Sequence, residues 1–458
     1  MKKPIFLLFA VFCLAFQVGA QEQDEAGKKE FEWPSWLDGK NASLVRGSRQ
    51  ERYFEIGLIG ANVGLLNSQL NVFDLLKGAF DFNPKNMKGD FSLAVDFFAK
   101  PIDFKFHVGS LFNMEIFTGV EATVYADIGG GTLDSIDKIT GLQKELEGVL
   151  SLPLANQPAA MTPILNTITQ INGGMGASGN AFAEIGVAGS KTILSDRLYL
   201  RVAPSVYFTL LYLPESSLTL AGYGDSASKY IGLKSQTNDG LYAYSPFNFN
   251  NFNFADMFSS FGLDLALEGR FALFPILDVG TTINHIPIIP STLRYKSGLD
   301  LNIDVNIPNP LSPDWASEIM AGNLPGEPKF NTDIKFSNSE PTSKLVMRPT
   351  RFDFYLMLKP FSSQLLVIKP MVGFSLNTVL AKSSTLNWGV DVRLNLPAIF
   401  SVTIGTGARE EIWKQHLGIE LDFRVFELDF GVALQGTSFV NSWQGKGIGA
   451  ALAVKFGF

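Results

Sequence analysis

Eight charged side chains near the C-terminus fall at a spacing of two: Asp391 and Arg393, then Glu420, Asp422 and Arg424, then Glu427 and Asp429, and finally Lys455 within its own run. In an extended chain, residues two apart share a face. Opposite charges on neighbouring strands can pair and brace an interior. If that interior holds water, the same charges can form a selective constriction. Both readings stand for these lumen-lining candidates. Catalytic chemistry has less to work with. His107, His285 and His416 are far apart in sequence and show no metal-ligand spacing. No Ser or Asp stands out as a partner for a nucleophilic triad. Gly129-Gly130-Gly131 lacks the Lys-Ser/Thr of a phosphate-binding loop. An enzyme is not expected, and neither a metal nor another cofactor is called for.

The elements that carry these charges alternate strictly. In 448–458 the even positions are Ile448, Ala450, Leu452, Val454, Phe456 and Phe458, and the odd ones are small or charged. Phe426, Leu428, Phe430, Val432 and Leu434 oppose Glu427, Asp429, Gly431 and Gln435. Leu417, Ile419, Leu421 and Phe423 oppose Gly418, Glu420, Asp422 and Arg424. Trp388, Val390, Val392 and Leu394 oppose Gly389, Asp391, Arg393 and Asn395. Each is a two-faced strand. A soluble sandwich would bury the apolar face, whereas a transmembrane barrel turns it to lipid.

Three features select the barrel. The N-terminus reads as an export signal, with Met1-Lys2-Lys3, an apolar run from Pro4 to Phe16, and cleavage expected after Ala20. Alternation continues over most of the chain. The chain ends on an aromatic face, so Phe456 and Phe458 are candidates for the signal that barrel-insertion machinery reads. After residue 20 there is no apolar run of the ~18 residues that a helical span needs. Cys13, the single cysteine, lies inside the export signal, so the mature chain has no disulfide or thiolate chemistry. The formal charge of −7 gives no support for nucleic-acid binding. The expected location is the outer membrane of a diderm bacterium.

Six short connections predict seven hairpins: Ala99-Lys100-Pro101, Leu194-Ser195-Asp196, Ala272 to Pro275, Lys359 to Ser362, Pro397-Ala398 and Arg424-Val425. Several carry proline, which suits a tight turn. The expected fold is therefore all-β, an antiparallel transmembrane barrel of about fourteen strands over 53–458. Sixteen is the competing count, because 276–306 is interrupted by Pro287 and Pro290. Residues 21–52 form a pre-barrel segment, either a plug or a leader.

Large outer connections come early, near 67–90, 128–178, 214–259 and 307–344. Within 128–178, Ile136, Ile139, Leu142, Leu146 and Val149 follow a helical period. This helical insertion is either a loop cap or an apolar lid. Phe247, Phe249, Phe252 and Phe254 lie in a segment too aromatic for a solvated loop. They could line a ligand vestibule or form a girdle at the membrane interface.

Seven hairpins, a pre-barrel segment and large early outer loops resemble the long-chain fatty-acid transporter family. The Phe-rich style and Asn284-His285-Ile286-Pro287-Ile288-Ile289-Pro290 also resemble spirochaete-type outer-membrane barrels. The first resemblance implies a fourteen-stranded channel or transporter for small hydrophobic molecules such as fatty acids. The alternatives are a general porin for polar solutes and a surface-binding protein anchored by its barrel. The expected partners are outer-membrane lipid, the insertion machinery and a hydrophobic small molecule. The sequence sets no oligomeric state.

Overall fold

The computed structural model describes residues 53–67, 91–108, 112–129, scattered helical positions between 132 and 149, and residues 151–153, 156–195, 197–238, 241–321, 329–361, 365–378, 384–396, 400–423 and 425–457. The export signal, the pre-barrel segment, Arg424 and Phe458 lie outside the described residues.

Alternating sequence makes strands throughout. The first are β1 (Phe54–Asn67), β2 (Phe91–Ala99), β3 (Asp103–Val108), β4 (Phe112–Ile128), β5 (Asn172–Ile193) and β6 (Leu198–Tyr223). Then come β7 (Tyr230–Asn238), β8 (Leu241–Ser245), β9 (Phe261–Phe274), β10 (Leu277–Ile289), β11 (Ser291–Pro308) and β12 (Lys329–Val346). The rest are β13 (Thr350–Leu358), β14 (Leu366–Leu376), β15 (Ser384–Leu396), β16 (Phe400–Arg409), β17 (Ile412–Phe423), β18 (Phe426–Gly436) and β19 (Gly447–Gly457).

The wall closes where β19 pairs antiparallel with β1, Phe456 opposite Ile56 and Gly447 opposite Leu66. β2 and β3 both lie between β1 and β4, so together they form one wall strand. β6 pairs with β9, β9 with β10, and β10 directly with β13. The remaining strands follow in chain order to β19. The wall therefore has fourteen strands. Sixteen is excluded, because β7, β8, β11 and β12 leave the wall.

One expected turn is corrected. Ala99-Lys100-Pro101 does not reverse the chain. It interrupts a single strand, which resumes at Asp103 in the same register direction. Lys100 N–H donates to the Gly60 carbonyl, and Thr118 N–H donates to the Ile102 carbonyl, so the wall stays bonded across the break. The reversal lies between Val108 and Phe112, which are paired.

The four departing strands extend the wall on the loop side. The last part of β6 pairs with β7, β7 and β8 both pair with β11, and β11 pairs with β12. Helix α1 (Gln157–Thr169) starts with proline in its first turn, where no intrahelical donor is lost. Met161, Ile164, Leu165 and Ile168 of α1 bury against Leu142, Val149, Ile231, Leu233, Val305 and Ile307. The helical insertion thus shares a core with the outer sheet. Its strands intrude further than expected, since β5 begins at Asn172 rather than beyond 178. Helix α2 (Pro313–Met320) joins β11 to β12, and α3 (Phe439–Trp443) joins β18 to β19.

The outward faces carry the apolar band. Ile185, Val187, Val202, Ile404, Leu417, Phe430 and Val432 are all exposed. Exposing so many aliphatic residues to water has a cost that lipid removes. Aromatic rings mark both edges of the band. Phe426 packs on Phe423 and Phe456 at the short-turn end. Trp413 packs edge-on against Trp388 and Phe439 at the loop end, and Phe439 packs on Trp443. Among the described residues no helix is long and apolar enough to cross a membrane. The strands are the crossing elements.

Candidate functional site within the lumen

Inner faces alternate with the apolar band, so every second side chain points into the lumen. β4 contributes Glu121, β5 Glu184, β6 Ser205, β9 Asp264, β10 His285 and β13 Arg351. Arg348 enters from the junction of β12 and β13. Glu410 enters from the turn joining β16 to β17, where Glu410 and Glu411 both have positive φ, 50° and 68°. Such a tight two-residue turn matches the twist of the hairpin. All these side chains are buried.

Two guanidinium groups organise them. Arg348 Nη1 donates to Glu184 (2.6 Å) and Asp264 (3.2 Å), and its Nη2 lies 3.5 Å from Glu121. Arg351 Nε donates to Glu410 (2.7 Å) and its Nη2 to Glu121 (3.4 Å). Counted round the wall, Glu121 is on the third strand, Arg351 on the eighth, and Glu410 between the eleventh and twelfth. The three are spread almost evenly about the circumference, so these pairs run across the lumen. A buried charge is tolerated only when paired in this way.

His285 owes its place to a β-bulge. Ile283 pairs with Leu267 and Ile286 with Leu265, so Asn284 and His285 together oppose Ala266. The bulge re-aims side chains, and His285 adopts φ 55°. Its Nδ1 lies 3.1 Å from Asp264 Oδ2. Ser205 donates to the other Asp264 oxygen. Asp264 thus stands between Ser205 and His285, whereas a nucleophile relay needs the imidazole in the middle. Glu184, Asp264 and His285 could offer three ligand atoms within 4.8 Å of one another. The Arg348 guanidinium already supplies positive charge to both carboxylates, so the chemistry of the donor set does not fit a metal ion.

Aromatic rings pack on the loop side of this layer. Phe182 and Tyr207 meet edge to face at 6.0 Å, and the Arg348 guanidinium carbon sits 5.7 Å from each ring. Leu293 and Val346 complete the cluster, with Tyr212 and Tyr244 packed against it. Tyr207 donates its hydroxyl hydrogen to the Val346 carbonyl (3.2 Å) and accepts from Ser291 N–H (3.2 Å). Gly262 makes room for this ring, since a Cβ there would lie 2.3 Å from it. Lys344 Nζ lies 5.6 Å from the Tyr244 ring and 5.9 Å from that of Tyr212.

The charges singled out from sequence occupy a different arc. Asp391, Arg393, Glu420, Asp422, Glu427, Asp429 and Lys455 are all buried on inner faces. Arg393 Nη2 donates to both Glu420 oxygens (2.8 and 2.7 Å). His416 Nε2 lies 3.1 Å from Asp391. Lys455 reaches Glu55 at 3.5 Å. Asp422 pairs in register with Glu427, and Glu420 with Asp429. A further group sits nearer the short turns, where Glu115 accepts from Lys100 (2.7 Å) and Arg201 (2.8 Å).

The phenylalanines proposed for a vestibule lie elsewhere. Phe249, Phe252 and Phe254 are more than half exposed, at 51%, 54% and 61%. Phe247 packs on Phe252 at 5.0 Å. Their segment is tied to β12 by Phe249 N–H donating to Ser339 Oγ and by the Asn250–Asn338 pair. Nearby Phe258 packs on Phe208, whose neighbours Tyr207 and Thr209 face inward. The rings of the lumen cluster leave no local signal in the sequence because they are scattered singly over 182–244. Phe456 lies on the outer face.

No protein family and no curated protein matches the chain. Among solved structures it is similar to the "TodX deltaS2S3 mutant monoaromatic hydrocarbon channel", at 8% identity over 98% of each chain with a TM-score of 0.44. It is also similar to the Ralstonia pickettii toluene transporter TbuX, at 9% identity over 97% of each with a TM-score of 0.41. The translocator domain of autotransporter NalP from Neisseria meningitidis aligns at 9% identity over 89% of each with a TM-score of 0.30. These likenesses are too distant to carry the assignment, which rests on strand pairing: the chain is a closed, fourteen-stranded antiparallel barrel with an apolar outer band and an ion-paired lumen.

Proposed function

We propose that the chain is an outer-membrane channel for small hydrophobic molecules. The observation that carries this reading is the half-buried ring pair of Tyr212 on the inner wall and Tyr244 on the outer sheet, seated on the covered Phe182–Tyr207 pair. A general porin keeps a polar, water-filled lumen. Aromatic rings there lower the local polarity and give apolar solutes a surface to leave water for. The cross-lumen pairs Glu121–Arg351 and Arg351–Glu410 also oppose a wide aqueous path. The aromatic edges of the apolar band support placement in an outer membrane, with lipid and the insertion machinery as partners of the Phe456 end. The lumen geometry favours a channel over an enzyme, since Asp264 rather than His285 takes the central position.

The test uses liposomes whose outer leaflet is lipopolysaccharide, which is itself a poor path for hydrocarbons. Protein-containing liposomes should take up a labelled alkylbenzene several-fold faster than empty ones, with only small ion conductance in planar bilayers. No gain in uptake together with large, stable conductance steps would replace this reading with the polar porin.

A further inference from the structure

On the side of β9 the apolar outer surface does not end with the wall. β9 has 14 residues, where a tilted crossing needs ~9–11, so Phe261 at its start stands at the loop-side limit of the hydrocarbon. Phe261 is more than half exposed and pairs in register with Phe208 of β6. The chain just before it is held at this edge. A short helical turn, Phe254–Ser260, sets Phe258 edge-on against Phe208 at 5.5 Å. The Ser260 hydroxyl donates to the Thr209 carbonyl (3.0 Å). Phe249, Phe252, Phe254 and Phe258 are all more than half exposed as well. From Pro246 to Phe261 the sequence holds six phenylalanines and a single charge, Asp256. Nearby, exposed Ile289 pairs with Leu263, and exposed Leu345 pairs with Thr292.

So many uncovered rings are costly in water and mark a contact surface. The polar atoms of the segment are spent within the protein. The Asn248 and Asn253 side chains accept from the Asn250 and Ala255 N–H groups, and Asn250 exchanges hydrogen bonds with Asn338. A protein partner is met by hydrogen bonds as well as by rings, whereas acyl chains ask only for apolar surface. The rings are also continuous with the lipid-facing band through Phe208 and Phe261. Phenylalanine lacks the polar handle that keeps Trp and Tyr at headgroup level. The rim beside β17 carries Trp388, Trp413 and Trp443 instead.

We infer that residues 247–261 form a one-sided lipid anchor, whose phenylalanine rings enter the acyl chains of the leaflet on the loop side. Its backbone stays at headgroup level, because irregular backbone is not tolerated in the hydrocarbon itself. Phe249 N–H donates to Ser339 Oγ, and Asn250 pairs with Asn338, both on β12. The anchor therefore also ties the departing sheet down to the membrane on this side.

Spin labelling of the full chain in nanodiscs of phosphatidylethanolamine and phosphatidylglycerol tests this. The chain has a single cysteine, Cys13, so a Cys13→Ser background makes each label unique. Nitroxides are attached at Phe252→Cys and, in a second variant, at Phe254→Cys, which serves if the first gives no heat-modifiable folded band. Ser226→Cys, exposed in the turn between β6 and β7, is the water reference. Ile404→Cys, on the outward face of β16, is the lipid reference. Labels at 252 and 254 should match the lipid reference. Molecular oxygen, which concentrates among acyl chains, should reach them readily, and a water-soluble nickel chelate should reach them several-fold less than it reaches 226. Nickel access equal to that at 226 would make the segment a solvated loop and overturn the anchor. Shielding from both reagents would overturn it as well, and would mean that protein covers the rings.

Discussion

In the arc from β15 to β19 and β1, buried charges find partners close by. Arg393 meets Glu420 and Asp391 meets His416 two strands away, and Lys455 meets Glu55 on the adjoining strand. In the arc from β4 to β13, Arg348 and Arg351 instead gather carboxylates from far around the circumference. The Arg393–Glu420 and Asp391–His416 pairs can form as soon as three strands have paired, whereas Lys455–Glu55 spans the closing seam. The second arrangement exists only when the whole wall has closed. The outer elements follow the same division. Long strands, the α1 cap and the departing sheet belong to the N-terminal half, while β13 to β19 are joined by short links. One half is a wall stabilised locally, and the other is where the lumen is filled.

The largest effect that could break this comparison is expected at Arg348. Arg348→Met keeps the volume of the stem but removes the cation from Glu184, Asp264 and Glu121. Removing one partner of a buried ion pair costs ~3–5 kcal/mol. Urea unfolding of the refolded barrel, followed by heat-modifiable migration, should show the unfolding free energy fall by that amount. Arg393→Met in the C-terminal arc should cost less, because one carboxylate, Glu420, loses a cation there rather than three. Equal losses at both positions would erase the distinction between the arcs.

How much of each arc was legible follows from the same geometry. The C-terminal strands could be assigned face by face because their links are short. Phe423 and Phe426 are three residues apart, so the apolar parity switches and announces the reversal. Val108 and Phe112 are four apart, so parity continues through that reversal and hides it. Lys100-Pro101 meanwhile imitates a turn, because proline and a break in alternation coincide there. The cross-lumen layer left no trace in local spacing. Glu121 and Arg351 are 230 residues apart. His285 was passed over as isolated because only the bulge at 284–285 aims it at Asp264. Parity also could not show that Phe249, Phe252 and Phe254 are exposed, since their segment is not a regular strand.

The cap offers an intermediate test on the N-terminal half alone. Gly222 of β6 lies directly beneath α1, and a Cβ there would fall 1.7 Å from the Ile168 carbonyl oxygen. Backbone cannot retreat as a side-chain tip can. Gly222→Ala should cost ~1–3 kcal/mol of overpacking, confined to the cap. Limited proteolysis should cut between 129 and 171 sooner, while the heat-modifiable band of the barrel stays unchanged. Simultaneous loss of both would mean that cap and wall fold as one unit.

A smaller effect is expected at Gly405, the C-terminal counterpart. It pairs with Asp391 on one side and His416 on the other. A Cβ would lie 1.9 Å from the Asp391 carboxylate and 2.3 Å from the His416 ring. Gly405→Ala should therefore separate that pair, but both side chains can rotate away. The loss should be about 1 kcal/mol, within the range of a single hydrogen bond, and far below that of Arg348→Met.

The smallest effect concerns the turn between β6 and β7, outside the membrane. Asp225 is fully exposed, yet hydrogen bonds from the Ser228 hydroxyl and from the Ala227 and Ser228 N–H groups hold its carboxyl below the usual carboxylate range. A depressed folded-state pKa means that its contribution is fully present above the unfolded value. It is lost as pH falls through the lower, folded one. The Ala227 and Ser228 amides should exchange slowly at neutral pH and lose that protection, relative to neighbouring amides, only in distinctly acidic solution. Asp225→Ala should show the unprotected behaviour at every pH, with the barrel's unfolding midpoint unmoved. A shift of that midpoint would tie this turn to the wall and extend the closed, cooperative half into the outer sheet.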